Sequence, residues 1–346
     1  MQLTKITLWI ATFFLSAPAF AGAARTFETI HSTLMMKSMA HACLGLTVQP
    51  DGVPCNPAMT PLAEKKSFRG QLLASDGYRT VRDLKTVVDG EVNQQMVDTF
   101  FSKENVLSVE ASSDLIYRSK EMNIQLTPVT IRGFSEVHNE SNPDIFLYAV
   151  EEKGLMFQAG TQWDEEFLFG FQVRVLNRKV IRRNFNIFEL GTEAGREILS
   201  PADQSVLFLE PGAAFLLGGE WNPRISAMIT NLGVVSQRYP NVPVSVEPQV
   251  GFAITPPTEE GVLDFTLDYK SLDFQEKGSD RLHLGVLFRH NEFYYSAGID
   301  SHGSSAGVSY ENRFFNAGLL VATTRSLKEK ETLDNHNIYL QVGLGF

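Results

Sequence analysis

The sequence predicts an all-β protein, a transmembrane antiparallel β-barrel of about fourteen strands with a small helical amino-terminal hatch or cap. Three observations carry that expectation. From residue 107 onward the chain is a succession of short segments, each about 9–11 residues long, in which apolar side chains alternate with polar or small ones. The last of them places Ile338, Leu340, Val342, Leu344 and Phe346 on one face and Asn337, Tyr339, Gln341, Gly343 and Gly345 on the other. Beyond the first 21 residues, no uncharged apolar run reaches the ~18 residues that a membrane-spanning helix needs.

Residues 1–21 read as a secretory signal peptide. Lys5 is the only charge before the apolar run Ile6 to Phe20, and Ala19-Phe20-Ala21 supplies the small-x-small pattern at which such segments are cut. Cleavage after Ala21 fits best, and cleavage after Ala23 is the alternative. An exported chain without a helical span either stays soluble or enters a membrane as a closed barrel, because open sheet edges cannot face lipid. The formal charge of −10, which becomes −11 once Lys5 is removed, and the lack of a strongly basic region argue against a nucleic-acid partner.

Residues 22–106 form the hatch-like region and 107–346 the barrel. Within the first region, 27–42 (with Ile30, Leu34, Met35, Met39 and Ala42) and 83–101 (capped by Asp83, with Leu84, Val87, Val88, Val92, Val97 and Phe100) have the spacing of amphipathic helices. Phe68 to Ala74 looks like a strand, yet counting it would give fifteen. Either it belongs to the amino-terminal region, or a further strand lies within Lys179 to Leu190. The only cysteines, Cys43 and Cys55, flank a turn-rich stretch. In an oxidising compartment they would pair, closing a loop worth roughly 3 kcal/mol; two free thiols are the alternative. No cluster of His, Asp or Glu accompanies them, so neither a metal nor a cofactor is expected.

The strands are expected near 107–118, 121–131, 143–151, 154–163, 166–176, 209–217, 223–232, 246–254, 261–271, 281–290, 293–300, 303–311, 313–323 and 337–346. With the carboxyl terminus in the periplasm, the loops 177–208, 233–245, 272–280 and 324–336 fall outside. Short turns at 164–165, 218–222, 255–260, 291–292 and 312 fall on the periplasmic side. The same count leaves 132–142 as a longer periplasmic connection and puts short turns at 119–120, 152–153 and 301–302 outside. Trp163, Trp221, Tyr239, Tyr269, Tyr294 and Tyr339 fall near segment ends, compatible with interfacial girdles. In this register Arg174, Glu247, Asp264, Asp268, Arg281, His283, Asp300 and Glu311 point into the lumen. They either fill it as paired structural charges or set the selectivity of a pore. A one-residue slip would send all of them to lipid.

Two stretches carry a resemblance. The terminal strand resembles that of bacterial outer-membrane barrels, whose final Phe is read by the barrel-assembly machinery; Leu340, Val342, Leu344 and Phe346 would be that signal. Cys55-Asn56-Pro57-Ala58 follows a helical segment containing Ala and Met, and looks like the amino-terminal hatch of the FadL-like outer-membrane proteins. That group includes long-chain fatty-acid transporters, aromatic hydrocarbon channels and PorV- and TraF-like barrels. Pro57 stiffens the turn and restricts Asn56 to extended backbone, while Asn56 can bond nearby backbone. The resemblance implies an outer-membrane location in a Gram-negative bacterium, contact with outer-membrane lipid, and passage or capture of small or hydrophobic molecules. The chain departs from the group in its short hatch, in the cysteine pair and in the lack of a long apolar outer region. Only 177–208 could form one, and its Arg178, Lys179, Arg182 and Arg183 would either meet anionic headgroups or be a solvated basic loop.

The alternative function is a filled barrel, single or homo-oligomeric, that organises lipid or partner proteins, with the Phe-rich strand 167–175 as the packing face. An enzyme is not expected. Asp300-Ser301-His302-Gly303-Ser304 holds the residue types of nucleophilic catalysis but reads as a tight turn, and His283 and His290 point to opposite faces of one strand.

Overall fold

The structure, a computed structural model, describes residues 33–47, 49, 52–62, 66–76, 105–138, 144–186, 200–237, 246–270, 281–301, 303–328 and 331–346. The signal-peptide segment, the expected helix at 83–101, Tyr239 and His302 lie outside the described residues. No described helix is long and apolar enough to cross a membrane.

Fifteen strands build one sheet: β1 (Ser67–Ser75), β2 (Asn105–Arg118), β3 (Met122–His138), β4 (Asp144–Gln162), β5 (Phe167–Asn186), β6 (Ala202–Leu216), β7 (Arg224–Thr230), β8 (Gly233–Val235), β9 (Glu247–Ile254), β10 (Val262–Lys270), β11 (Leu282–His290), β12 (Phe293–Asp300), β13 (Gly303–Glu311), β14 (Phe315–Lys328) and β15 (Glu331–Gly345). All neighbouring pairs are antiparallel. β1 pairs with β15, and β5 with β6, so the sheet closes on itself. β7 and β8 both pair with β6 and form one wall strand interrupted at Asn231, which has a left-handed backbone (φ 59°). The barrel therefore has fourteen wall strands.

The wall is polar inside and apolar outside. Along β15, Leu340 is 58% exposed while its neighbour Gln341 is buried; along β1, Leu72 is 64% exposed between the buried Gln71 and Leu73. The same alternation leaves Phe169, Phe171, Val175, Ile225, Phe252, Phe265, Leu284, Leu319 and Val342 on the exterior. It buries Gln125, Gln158, Gln172, Arg174, Glu210, Arg224, Asp264, Asp268 and His283. A water-soluble sheet would do the reverse, so the exterior is a lipid-facing surface. On β4 and β5 the exposed apolar band ends where the cross-strand pairs Lys153–Asn177 and Glu151–Lys179 begin a polar and charged level. Beyond it, outward-facing Ile145, Leu147, Ala149, Ile181 and Phe185 are buried as well. Trp163, Trp221 and Tyr269 sit exposed near strand ends, as girdle residues should. Tyr294 and Tyr339 instead point inward and are buried.

Fourteen was the expected number, but two of the strands behind it differ. The turn expected at 152–153 is absent: β4 runs 19 residues straight through it, because cross-strand pairing to β5 continues from Glu151↔Lys179 to Lys153↔Asn177 and Gly154↔Leu176. The segment left within the 22–106 region, Ser67–Ser75, is the wall strand that joins β15 to β2. These two changes also correct the sidedness. The turn at 119–121 lies at the end that holds Phe346, and β3 extends through 132–138 so that its connection lies at the opposite end. Residues 177–186 are not loop but the upper part of β5, and Arg178 points inward, its Nε donating to Gln204. Every connection at the Phe346 end is now short, at 119–121, 163–166, 217–223, 255–261, 291–292 and 312–314. In the 291–292 turn Asn291 takes the left-handed backbone (φ 54°) that two-residue hairpins demand.

Leu340 lies within the apolar band. Leu340→Arg should cost about 2–4 kcal/mol in denaturant titration of the protein folded into lipid vesicles, whereas Glu165→Arg, in an exposed turn, should cost less than about 1 kcal/mol.

Candidate functional site: a plugged lumen

A barrel with a polar inner wall must fill that wall's hydrogen-bonding capacity with water, side chains or backbone. Here residues 33–62 enter the lumen and do much of it. A short helix α1 (Leu34–Ser38) opens the segment, with Thr33 as its N-cap accepting from the Met36 N–H. A turn-rich stretch follows, and a 3-10 turn (Pro57–Leu62) closes it. Cys43 and Cys55 are disulfide-bonded, with Cα atoms 5.9 Å apart. Only the five residues of α1, within the described part of the expected 27–42 helix, are helical.

Apolar contacts seat the two ends of this plug. Leu34 packs with Leu73, Leu320 and Tyr339 of the wall, and Met35, Met36, Met39, Cys43 and Leu46 with Leu287 and Tyr294. At the other end Ala58 and Met59 pack with Leu168 and Ala214.

Polar contacts fix its position. Asp268 Oδ2 accepts the N–H groups of Cys43 (2.6 Å) and Leu44 (2.9 Å). Arg224 donates from Nε to the Gly45 carbonyl (2.8 Å) and from Nη2 to Asp264 Oδ1 (2.6 Å). Thr266 donates to the Ala42 carbonyl, Ser305 to the Lys37 carbonyl, and His283 Nδ1 lies 2.7 Å from the Ala40 carbonyl. Lys37 Nζ meets Glu110 at 2.6 Å, and Glu110 also pairs with Arg132. Asn56, fully buried, donates to the Ala213 carbonyl at 3.0 Å and accepts the Ala58 N–H at 3.0 Å. Gln158 donates to the Pro54 carbonyl and Asn123 to Thr60. The wall makes room with glycine: a Cβ on Gly170 would lie 2.5 Å from the Pro57 carbonyl carbon.

The expected lumen-lining residues divide by role. Asp264, Asp268 and His283 hold the plug, directly or through Arg224. Arg174, 1% exposed, is paired with Glu210 and donates to Asn231 Oδ1 at 3.0 Å, while Glu210 also accepts the Asn231 N–H. That knot secures the wall where β7 breaks from β8. Glu311 binds Arg69 (2.6 Å) and Arg118 (3.2 Å). Asp300 accepts the Gly303 N–H and lies 3.7 Å from His283. Glu247 is half-buried at the inner start of β9. Arg281, just before β11, is half-buried and donates to the Tyr269 hydroxyl. Arg69, Arg118 and Arg224, the partners of Glu311 and Asp264, were not singled out from sequence. Their inward parity becomes readable only once β1 is placed in the wall and β7 is paired with β9.

Among the described residues, two cavities border the plug. One of about 950 Å³ opens at the Phe346 end, bounded by Arg69, Arg118, Tyr294 and Glu311, with Gly52 and Pro54 of the plug on one side. The other, of about 40 Å³, lies between Val53, Pro54, Cys55 and Met156. Pro54 borders both, so the segment Gly52–Cys55, anchored by the disulfide, separates them.

No protein-family model matches the chain, and no curated protein matches it. Solved structures with the same fold do. The CymD monoaromatic hydrocarbon channel aligns over 90% of this chain and 96% of its own at 10% identity (TM-score 0.50). The toluene transporter TodX of P. putida aligns over 91% and 98% at 9% identity (0.51), and the toluene transporter TbuX of Ralstonia pickettii over 90% and 97% at 10% identity (0.51). The shared feature is the outer-membrane barrel fold, which is the architecture implied by the FadL-like resemblance.

Asp268→Ala orphans the N–H groups of Cys43 and Leu44 at about 1–3 kcal/mol each. Amide hydrogen exchange at these two positions should rise well above that of the neighbouring wall strands, which keep their own pairing.

Proposed function

We propose that the chain is an outer-membrane channel of a Gram-negative bacterium that passes small hydrophobic molecules, monoaromatic hydrocarbons being the class to try first. The observation that carries this reading is a closed barrel whose lumen is occupied by a separately docked plug. A barrel needed only as a lipid-facing scaffold could fill its interior with wall side chains, as small barrels do. Here a discrete segment, seated by apolar clusters and fixed by hydrogen bonds and salt bridges, closes off a cavity of about 950 Å³ at the Phe346 end. Its neutral hydrogen bonds can each be exchanged for water at a modest net cost of about 0.5–1.5 kcal/mol. The fold shared with hydrocarbon channels points the same way.

In this reading, export depends on the 1–21 signal segment and insertion on the terminal strand bearing Leu340, Val342, Leu344 and Phe346. The plug is the barrier. Asp268, Arg224, His283 and Asn56 are positioning residues that set how readily it yields, and the disulfide limits the reach of Gly52–Cys55. The turn at Ser301 is structural, and no chemistry is assigned to it.

Cells that carry the protein in an outer membrane otherwise lacking hydrocarbon channels should take up labelled toluene faster than cells with an empty vector. A Cys43→Ser/Cys55→Ser double variant should be faster still at equal amounts of folded barrel. Uptake equal to the empty vector for both proteins would sink the channel reading and favour the filled barrel that organises lipid or partners.

A further inference from the structure

Ala40 and His41, just past the end of α1, both take the left-handed backbone, with φ of 48° and 64°. Among the described residues the other non-glycine positions that do so are Asn222, Asn231 and Asn291. Asparagine tolerates that region. Alanine is penalised there, because its Cβ crowds the following carbonyl oxygen. The bend closes the helix: His41 N–H donates to the Met36 carbonyl at 2.7 Å, and Ala40 N–H to the Lys37 carbonyl at 3.1 Å. These are the two bonds of a Schellman ending, in which glycine usually fills the place that Ala40 holds.

The wall keeps the chain in this shape. His283 Nδ1 lies 2.7 Å from the Ala40 carbonyl, and Ser305 donates to the Lys37 and Ser38 carbonyls. Thr266 donates to the Ala42 carbonyl, and Asp268 accepts the next two N–H groups. Opposite the bend the wall carries no side chain: a Cβ on Gly298 would run into the Met39 carbonyl carbon and the Ala40 nitrogen. The other half of the plug is built without strain of this kind. From Val53 to Leu62 no residue has a positive φ, and Pro57 and Pro61 stiffen the chain.

This strain acts against a firm hold. Met35, Met36, Met39, Cys43 and Leu46 are packed on Leu287 and Tyr294, and water does not replace apolar contacts as it replaces hydrogen bonds. We propose that the left-handed pair Ala40–His41 is a spring set in the plug: it offsets part of that burial, so that the half from Leu34 to Leu46 stays docked yet can be released. Backbone strain persists only where surrounding contacts over-determine it, and it is relieved as soon as those contacts part. The use of the spring in passage rests on the channel reading. Its existence does not.

Amide hydrogen exchange of the full, disulfide-bonded chain in detergent tests it, with folding verified by heat-modifiable gel migration. Ala40→Gly removes one methyl and keeps every polar contact. It should slow exchange at the Cys43 and Leu44 amides by about fivefold, the scale of one relieved left-handed alanine, while the amides of β15 stay unchanged. Ala42→Gly is the control, at a residue whose backbone is not left-handed. It should speed exchange at the same amides several-fold, because glycine there only adds freedom to the released chain. In cells, uptake of labelled toluene should be several-fold slower with Ala40→Gly than with the wild type at equal amounts of folded barrel. Exchange at Cys43 and Leu44 that is unchanged or faster in Ala40→Gly overturns the spring, and so does equal slowing in both variants. Slower exchange with undiminished toluene uptake overturns its part in release. Slower exchange in a barrel whose wild type takes up no toluene supports the spring and sinks the channel reading alone.

Discussion

Everything in this molecule follows from one constraint: a backbone N–H or C=O facing hydrocarbon must find its partner within the protein. A sheet meets that demand only by closing. β1 against β15 and β5 against β6 are therefore the pairings on which the rest depends, because they remove the two edges an open sheet would expose. Closure then dictates the side-chain pattern. Alternate residues must be apolar for lipid, and the intervening ones are free to be polar. Arg174, Glu210, Arg224, Asp264 and Asp268 are buried in this barrel for that reason. The same residues at outward positions would each face hydrocarbon.

A polar interior creates a second demand. Buried ion pairs often gain little net stability, but they fix geometry and are costly to leave half-made. The wall meets the demand in two ways. Some charges neutralise each other across neighbouring strands, as Arg174 does with Glu210 beside the break between β7 and β8. Others reach inward to the plug, as Asp268, Thr266 and His283 do. The difference matters for function. A wall-to-wall pair stiffens the cylinder and remains if the plug moves, whereas a wall-to-plug pair must break.

The fold class was readable from the alternation because barrel strands repeat one simple pattern. Its seven strands from β9 to β15 and the parity of Asp264, Asp268, His283, Asp300 and Glu311 could be read directly. Two things could not. Glu151, Glu152 and Lys153 look like a turn, yet they sit inside β4, where the strand leaves the apolar band and charge on the outer face is no longer costly. Ser67–Ser75 looked detachable because it adjoins the hatch-like region and is separated from β2 by a long connection; only its partner β15 shows that it belongs to the wall. The plug's contacts were opaque for another reason. Side chain to backbone bonds such as Asp268 to Cys43 and Leu44 leave no trace in the spacing of either segment.

The arrangement of the plug around the wall gives the disulfide its meaning. The half from Leu34 to Leu46 is docked mainly on β10 to β15, with added ties to Leu73 of β1, Glu110 of β2 and Arg224 of β7. The half from Asn56 to Leu62 is docked mainly on β3 to β6, with Asn56 also reaching the Ala227 carbonyl of β7. Without the Cys43–Cys55 bond, each half could leave its arc while the other stayed. With it, release of one half leaves that half tethered a short loop away from its dock, and rebinding is an intramolecular event at high effective concentration. Two sets of individually weak polar contacts thereby act as one. The plug can be held firmly enough to separate the cavities on either side of Pro54 while its position is set by many small contacts rather than by one strong one.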